Sequence, residues 1–418
     1  MYSSKVVAKN IEKFASQEGW TPVAHSVEEV DEFKEYVNSI IKTESNSKSI
    51  YVTLAKPISK KRADEVQRFI TNEQVMCAVD SNYWESRYVY IADERGSVVR
   101  FKNRKSQEII DYILADLDEK GLSKELLVLG GRQNGTSTKI LLKIMHRTLF
   151  SSSTQSMVAT VSLVESEAFR RMQNAIYDNC PWWLVPQKLP KNSLNNGSAL
   201  RLNSGMQATG ITRGYTPQCV YVTNIEDFPN PVKTFEEGLL RAFFSSRNTM
   251  LILHGRRTNK PYSWINCLWE ESKKYYDEGL ARFMPVFIPW AICSDIYPTS
   301  DWIKNHPVPK AWKPLKETVE HVRRCESYIR KTSYLSKSVG PKWKMPIEQK
   351  WYWEFNYRHA LATNSVDSFL SQMPADDKIG TEITESPKEE MVDEYVDLDT
   401  IFPSAAQTQK TLDKMKNG

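Results

Sequence analysis

Between residues 126 and 290, six short apolar runs alternate with helical patterns, and this alternation restricts the fold more than any other feature of the chain. The runs are LLVL at 126–129, MVATVSL at 157–163, ALRL at 199–202, CVYVT at 219–223, TMLILH at 249–254 and FMPVFIPW at 283–290. Helical periodicity fills most of the gaps, over about 138–149, 166–178, 234–244 and 262–277. Strands separated by helices need crossover connections, so they predict a mainly parallel sheet covered on both faces. Upstream, Ile109, Ile110, Ile113, Leu114 and Leu117 share one face of a helix over about 106–120. The aromatic and β-branched stretch 82–99 predicts a strand pair around a turn at 94–96. Residues 1 to about 75 read as mixed helix and short strand, with no recognisable chemistry.

The first run enters a glycine turn. Residues 126–150 read LLVLGGRQNGTSTKILLKIMHRTLF. An apolar strand meets Gly130, Gly131 and Gly135, then hydroxyls at Thr136, Ser137 and Thr138, then an apolar helix. Glycines let backbone N–H groups approach phosphate oxygens, and the helix presents its positive end to them. This is the layout of a phosphate-binding loop, and ligands of open α/β sheets bind at the carboxyl ends of the strands. The strict pattern holds Gly-Lys-Ser/Thr, and Thr136 stands where that lysine would be. A hydroxyl brings no positive charge to the β- and γ-phosphates. Either another cation supplies it, Arg132 foremost, or the site is weakened.

Composition narrows the setting. A chain of 418 residues has room for one large domain or two ordinary ones, and 40% hydrophobic residues is ordinary for a globular protein. The formal charge of +5 is uneven: residues 381–418 carry nine acids and four lysines, which leaves the rest at about +10. A basic body with an acidic tail is compatible with a polyanionic partner such as DNA, though composition by itself leans toward ordinary solubility charge. The six cysteines, Cys77, Cys180, Cys219, Cys267, Cys293 and Cys325, are scattered without a CxxC pair. That spacing argues against structural zinc and against a disulfide framework. Cys219 and Cys293 lie in or beside apolar runs and read as buried thiols. No stretch approaches the roughly 18 apolar residues of a membrane span, and the first residues lack an apolar signal core. The expectation is a soluble protein of a reducing compartment. After Lys378 the sequence is acidic and aperiodic, the composition of a disordered tail. Within it, DEYVDLDTIF at 393–402 mixes acids with apolar residues in the manner of a docking motif.

Taken in order, these motifs resemble the ATPase part of a phage terminase large subunit, the motor that packages viral DNA. GRQNGTST at 131–138 is similar to the terminase form of Walker A, in which Arg-Gln-x-Gly precedes a Lys or another residue and then Ser/Thr. The family's essential lysine would fall on Thr136 or, in a variant, on Gly130, while Arg132 matches the family's arginine. Residues 80–114 resemble the segment that leads to Walker A, and Gln107 falls where that family's glutamine precedes a helix. The resemblance implies that Gln107 reads adenine; the alternative is a plain helix-start residue. Residues 195–204 and 212–231 resemble the strand pair with Walker B, whose acid falls on Thr223–Asn224, with Glu226 and Asp227 just beyond. Taken alone, TNIED is a buried strand ending in an Asx-type turn. Residues 251–272 resemble the coupling motif and its helix, with the usual Ser/Thr near His254 and Gly255 and the family's Asn at Asn259. Residues 283–290 are close to the last core strand, and FLSQMPADD at 369–377 resembles the segment that leads into a nuclease domain. About 40 residues follow, too few for such a domain.

The resemblance implies an α/β fold of the P-loop (RecA/ASCE-like) class, a mainly parallel sheet flanked by helices. Its expected divisions are an N-terminal accessory region (1–79), the ATPase core (80–299), a helical basic-aromatic lid or linker (300–377) and an acidic tail (378–418). It implies ATP and Mg²⁺ as ligands. Gly131, Gln133, Asn134, Gly135 and Thr136 would cradle phosphates, and Ser137 would hold Mg²⁺, with Thr138 as its alternative. Arg132 would supply charge, Glu226 would position water and serve the metal, and Asn224 occupies the place of the Walker B acid. The implied partners are double-stranded DNA, a portal and a small terminase subunit, in a homo-oligomeric ring on the portal in the host cytoplasm, with no membrane. Three functions stay open: a packaging motor with its nuclease on another chain, a catalytically impaired relative that binds and assembles, and another P-loop enzyme such as a helicase-like ATPase. The glycines, Arg132 and the hydroxyls favour the first; Thr136, Gly130 and Asn224 favour the second. The order of segments after Walker B speaks against the third. Arg256 and Arg257 read as solvated. Over 337–360, Lys342, Lys344, Lys350, Arg358 and His359 interleave with Trp343, Trp351, Trp353 and Tyr357. That mixture suits a nucleic-acid surface or the packing of a helical lid.

Overall fold

The computed structural model describes residues 4–45, 50–93, 96–131, 134–189, 193–204, 216–294 and 297–378. The chain begins with α1 (Ser4–Glu18), α2 (Val27–Ile40), a hairpin of β1 (Ile41–Ser45) and β2 (Ile50–Leu54), α3 (Lys60–Val79) and α4 (Ser81–Tyr88). A second hairpin, β3 (Tyr90–Ala92) and β4 (Val98–Arg100), leads to α5 (Lys105–Lys120). The alternating region runs β5 (Lys124–Gly130), α6 (Thr136–Phe150), β6 (Gln155–Thr160), α7 (Leu163–Asp178), β7 (Lys188–Leu189), β8 (Ser193–Leu194), β9 (Ala199–Ser204) and β10 (Cys219–Val222). It continues through a π-helical stretch (Val232–Leu239) into α8 (Leu240–Ala242), β11 (Met250–Gly255), α9 (Trp264–Tyr275) and β12 (Met284–Ile288). Five helices close the described chain: α10 (Ser300–Asn305), α11 (Lys316–Lys331), α12 (Ser333–Val339), α13 (Ile347–Ala362) and α14 (Val366–Gln372).

Each of the six apolar runs becomes a strand of one eight-stranded sheet, in the order β12-β5-β11-β10-β6-β9-β8-β7. The strands from β12 to β9 are parallel, and β7 and β8 add an antiparallel edge. With β5, β6, β10, β11 and β12 counted as one to five, the sheet reads 5-1-4-3-2, the order of the RecA/ASCE class. The loop-bearing strand β5 lies inside the sheet, and all seven of its residues are buried, as a parallel strand covered on both faces requires. Successive residues point to opposite faces. Leu126, Val128, Tyr221 and Ile252 therefore pack with Ile140, Leu141 and Ile144 of α6. Leu127, Leu129, Val220 and Leu251 pack with Phe235, Leu268 and Trp269 on the other side.

The stretch 82–88 departs from the expected strand pair. Asp80 accepts from the backbone N of Asn82 at 2.9 Å and caps α4, and a helix is what buries Tyr83, Trp84, Glu85 and Tyr88 together. Only β3 and β4 remain as a hairpin. The apolar core runs across residue 79 without a break: Val30, Val37, Met76 and Cys77 belong to the same cluster as Trp84 and α6. Buried Glu73 adds a polar tie, accepting from His25 Nδ1 at 2.6 Å, Tyr83 Oη at 2.9 Å and Tyr88 Oη at 2.7 Å.

Residues 300–377 are helical as expected, and their tryptophans pack the helical layer. Trp353 is buried and stacked on His321 with ring centroids 4.2 Å apart. Trp351 donates to the carbonyl of His306 at 3.1 Å and meets Trp312 edge-on. Lys344 and Arg358 pair with Glu326 and Glu354, at 2.7 and 2.8 Å. None of the six cysteines forms a disulfide, and all but Cys267 are buried. No described helix is long and apolar enough to cross a membrane. Residues 379–418, the expected acidic tail, lie outside the described residues.

One buried histidine, His321, and two half-buried ones, His146 and His254, should make the fold acid-sensitive. Burial pulls His146 and His321 down to about 3 and His254 down to about 4, from an ordinary value of 6.5. Below pH 6.5 the unfolded chain takes up protons at these sites while the folded chain does not. Their contribution is therefore present above about 6.5 and is lost as pH falls toward the folded values, by up to about 1.4 kcal/mol per pH unit for each histidine. Urea midpoints should fall from pH 7 to pH 5, and His321→Phe should flatten that slope by one proton. An unchanged slope in the variant would show that His321 is not buried neutral.

Candidate nucleotide site

The loop after β5 is built where side chains have no room. A Cβ on Gly130 would run into the carbonyl oxygen of Ile288 on β12, and one on Gly131 would lie 3.0 Å from Trp290 Cβ and 3.1 Å from the carbonyl of Gln372. Gly131 N donates to the Ile288 carbonyl at 3.3 Å. Gly135 has φ of 75°, a left-handed conformation that glycine adopts without strain, and it precedes the first turn of α6. Two residues at the start of α5 strap the loop down. Ser106 Oγ donates to the carbonyl of Asn134 at 2.5 Å, and Gln107 Nε2 donates to the carbonyl of Gly135 at 2.9 Å. The other end of the Gln107 amide, Oε1, accepts from Arg104 N at 2.9 Å. Asn134 Oδ1 accepts from Thr136 N at 3.1 Å. Thr136 is fully buried, and its hydroxyl has no partner among the described residues. Arg132 and Gln133 lie outside the described residues.

A second set of groups gathers at the carboxyl ends of β10 and β11. Ser137 Oγ lies 3.5 Å from His254 Nδ1, and Tyr221 Oη lies 2.9 Å from the same nitrogen. Burial and, secondarily, Arg256 keep His254 neutral. Burial also pushes the Tyr221 phenol up to about 12. Asn224, at φ 51°, donates from Nδ2 to Glu165 Oε1 at 2.5 Å. Glu165 belongs to the first turn of α7, where Glu165 N donates to Ser162 Oγ at 3.3 Å and Glu165 Oε2 accepts from Val161 N at 3.1 Å. Glu226 is held differently. Its Oε1 accepts from Arg256 Nε at 2.8 Å, its Oε2 accepts from Arg256 N at 3.1 Å, and Gly255 leaves the space its carboxylate fills. Burial raises the pKa of Glu226, with Arg256 opposing. Arg256 is thus an ion-pair partner rather than a solvated side chain. Arg257 is engaged too, donating to Asn266 Oδ1 and to the carbonyl of Asp377, each at 2.8 Å.

Lys139, one turn into α6, is the lysine nearest the loop in sequence, and its charge is spent elsewhere. It pairs with Glu85 and, at 2.8 Å, with Asp111, and donates to Asn103 Oδ1 at 2.9 Å. Lys143, one turn further on, completes the cluster with Asp111 at 2.6 Å and Glu85 at 3.0 Å. All four side chains are buried. Burial pulls the Lys139 ammonium down. For Lys143 burial acts the same way, but Asp111 and Glu85 overcome it and hold the group above the usual lysine range.

The structure therefore brings Gln107, Asn134, Gly135 and Thr136 together around the loop, and sets Ser137 against His254 and Tyr221. Asn224 and Glu226 sit at the neighbouring strand end, each with a different partner. Thr138 faces a separate cavity of about 810 Å³, shared with Arg104, Gln107, Gly135, Tyr297, Trp302 and Tyr352. The sequence reading missed Glu165, Tyr221 and Ser106, although the Ser-x-x-Glu capping box at 162–165 was a usable local signal. Among the described residues, no group of three or more His, Cys, Asp or Glu could hold a metal by itself.

No protein-family model matches the chain, and no curated protein matches its sequence. Among solved structures, the ATPase domain of the Thermus phage P74-26 large terminase is similar over 50% of this chain and 90% of its own, at 12% identity and a TM-score of 0.34. The HK97 bacteriophage large terminase is similar over 71% of this chain, at 12% identity and a TM-score of 0.44. This chain covers 54% of the HK97 protein, about half its length, and the likeness to both is one of architecture.

Proposed function

We propose that this chain is a P-loop ATPase that moves double-stranded DNA in viral genome packaging. The observation that supports it most is the meeting, at the carboxyl ends of interior strands, of a glycine loop without room for side chains, the start of α6 and the Ser137–His254 contact. A magnesium nucleotide fits these residues. The orphaned hydroxyl of Thr136 marks a polar spot at the loop. The cavity beside Gly135 and Thr138 falls in the usual range for small-molecule sites, at about 810 Å³, and has the rings of Tyr297, Trp302 and Tyr352 in its wall. Asn134, Gly135 and Thr136 would hold the phosphates together with Gly131 and Gln133. Arg132 would supply the cation that Lys139 cannot. Ser137 would hold Mg²⁺, with Thr138 as its alternative. Bound Mg²⁺ would supply neutralisation of charge on the β- and γ-phosphates. Gln107 would sense the nucleotide through its bond to Gly135.

The packaging part of the proposal rests on the order of terminase-like segments over 80–377 and on the basic body. It carries with it a portal, a small terminase subunit and a homo-oligomeric ring in the host cytoplasm. A second reading, an assembly component that binds nucleotide without turnover, is favoured by one observation: Asn224 stands at the end of β10 where an acid is expected. ATP hydrolysis by the purified chain, with and without double-stranded DNA and beside Arg132→Ala, separates the two. DNA-stimulated turnover that Arg132→Ala abolishes is expected. Bound nucleotide without turnover would favour the assembly reading, and absence of nucleotide binding would sink both.

A further inference from the structure

We infer that Glu165, carried on the first turn of α7 and held by Asn224, is the catalytic carboxylate that orients the attacking water, in place of an acid at the end of β10. This rests on the ATPase reading above and names the residue that completes it.

The topology brings Glu165 to the right edge. β6 and β10 are parallel neighbours with Ala159 opposite Val222, and Thr223 N donates to the Ala159 carbonyl at 3.1 Å, so both strands end at one level. Only Val161 and Ser162 separate β6 from α7. The first turn of that helix therefore returns over the end of β10, where Glu165 meets Asn224 at 2.5 Å. Tyr221, on the same strand β10, reaches the loop: its hydroxyl lies 2.9 Å from His254 Nδ1, and Ser137 Oγ lies 3.5 Å from that nitrogen. Glu165, Asn224 and Glu226 thus stand at one spot, the end of the strand whose Tyr221 reaches, through His254, the hydroxyl that would carry Mg²⁺.

The two acids at that spot are not equivalent. Glu226 is neutralised by the guanidinium of Arg256, and its side chain is 4% exposed. Glu165 is partly exposed, and it accepts from two neutral donors, the Asn224 amide and the Val161 N–H. Among the described residues no cation pairs with it. A carboxylate oxygen accepts more than one hydrogen bond, so both oxygens retain capacity for a water molecule. Among the described residues no guanidinium or ammonium stands against the Glu165 carboxylate, whereas Arg256 stands against that of Glu226.

The identity of residue 224 follows from this arrangement. Asn is among the few residues other than glycine that adopt the left-handed conformation readily. Its amide donates to Glu165, which an acid could not do while ionised. An aspartate there would set two carboxylates 2.5 Å apart, by the present spacing, and like charges so close cannot both ionise. Asn224 is a positioning residue for Glu165 rather than the remnant of a lost acid. In the reaction the water oxygen bonds to the γ-phosphorus. The bond from that phosphorus to the β–γ bridging oxygen breaks, with its electron pair leaving on ADP. The proton of the water passes to the Glu165 carboxylate and on to solvent, leaving ADP and inorganic phosphate.

The test uses the full chain, its Glu165→Gln, Glu165→Asp and Asn224→Asp variants, and three readouts: affinity for fluorescent mant-ATP with Mg²⁺, steady-state ATP hydrolysis, and affinity for ADP with aluminium fluoride. Gln keeps one oxygen to accept from the Val161 N–H and turns the atom facing the Asn224 amide into a donor, and Asp keeps the charge while shortening its reach, so one variant covers a folding failure in the other. Glu165→Gln should lower turnover about 100- to 1,000-fold, the scale of a lost general base. Its mant-ATP affinity should stay within a few-fold, and its aluminium fluoride complex should weaken in step with turnover. Asn224→Asp, which would restore the expected Walker B acid, should lower turnover rather than raise it. Wild-type turnover in Glu165→Gln, or faster turnover in Asn224→Asp, would overturn the inference and leave the ATPase reading intact. Nucleotide binding by the wild type without hydrolysis would overturn the catalytic role alone. No binding of mant-ATP at all would remove the ATPase reading and the inference together.

Discussion

Lys139→Met should lower the stability of the fold by about 3–5 kcal/mol, the usual result of breaking a buried ion pair from one side. The loss comes from what stays behind. With Lys139 gone, Lys143 alone faces Glu85 and Asp111, and one carboxylate is left buried without a countercharge. Asn82 and Asn103, which now accept from Lys139 at 3.3 and 2.9 Å, lose that donor as well. The paired variant Lys139→Met/Glu85→Leu should recover much of the loss, because Lys143 and Asp111 then form a balanced pair and apolar side chains replace the other two. Urea unfolding of the wild type, both single variants and the double variant gives the coupling energy directly. Additive losses would mean that Lys139 and Glu85 do not act as a pair.

Gly130→Lys, which places lysine where terminase variants carry it, should give insoluble or unfolded protein rather than a stronger ATPase. The obstacle is the Cβ itself, so Gly130→Ala should already cost about 3 kcal/mol or more, at the upper end of overpacking. The atom it meets is the carbonyl oxygen of Ile288, fixed in the neighbouring strand β12. A flexible side chain could yield, but a sheet backbone cannot without separating β5 from β12. Thermal melting of Gly130→Ala measures the effect. A melting temperature equal to that of the wild type would show that the two strands can part at this point. On the proposed ATPase reading, the cation for the phosphates would come from a residue other than a lysine at 130, and Arg132→Ala is the variant that tests it.

The parts of this fold that are covered on both faces were the legible ones. β5, β10 and β11 hold the apolar runs 126–129, 219–222 and 250–253 because neither face meets water, so their positions stand out in sequence. The loop was legible for a related reason: Gly130, Gly131 and Gly135 each sit where a Cβ has no place. Local rules failed where a residue's environment is supplied from far along the chain. Asn224 and Glu165 are 59 residues apart, and neither is informative without the other. Lys139 looks like a solvated lysine on an amphipathic helix until Glu85, 54 residues away, is seen beside it. Glu85 was itself hidden, because the aromatic stretch around it has strand composition, and only the Asp80 cap and the shared burial of Trp84 and Tyr88 decide for a helix. Arg256 read as solvated because Glu226 reaches it only when β10 and β11 lie side by side.

The helix that carries the loop has no free side. Ten of the residues of α6 are buried, among them Thr136 in its first turn and Leu149 in its last. A peripheral helix in this position could tilt or fray when something pulls on its first turn. Here α6 is an axle set in the middle of the body, with the N-terminal helices, α5 and the sheet bearing on it from different sides. A load applied at Gly135 is therefore shared by the whole molecule, and the stiffness of the loop is that of the core rather than that of a surface turn.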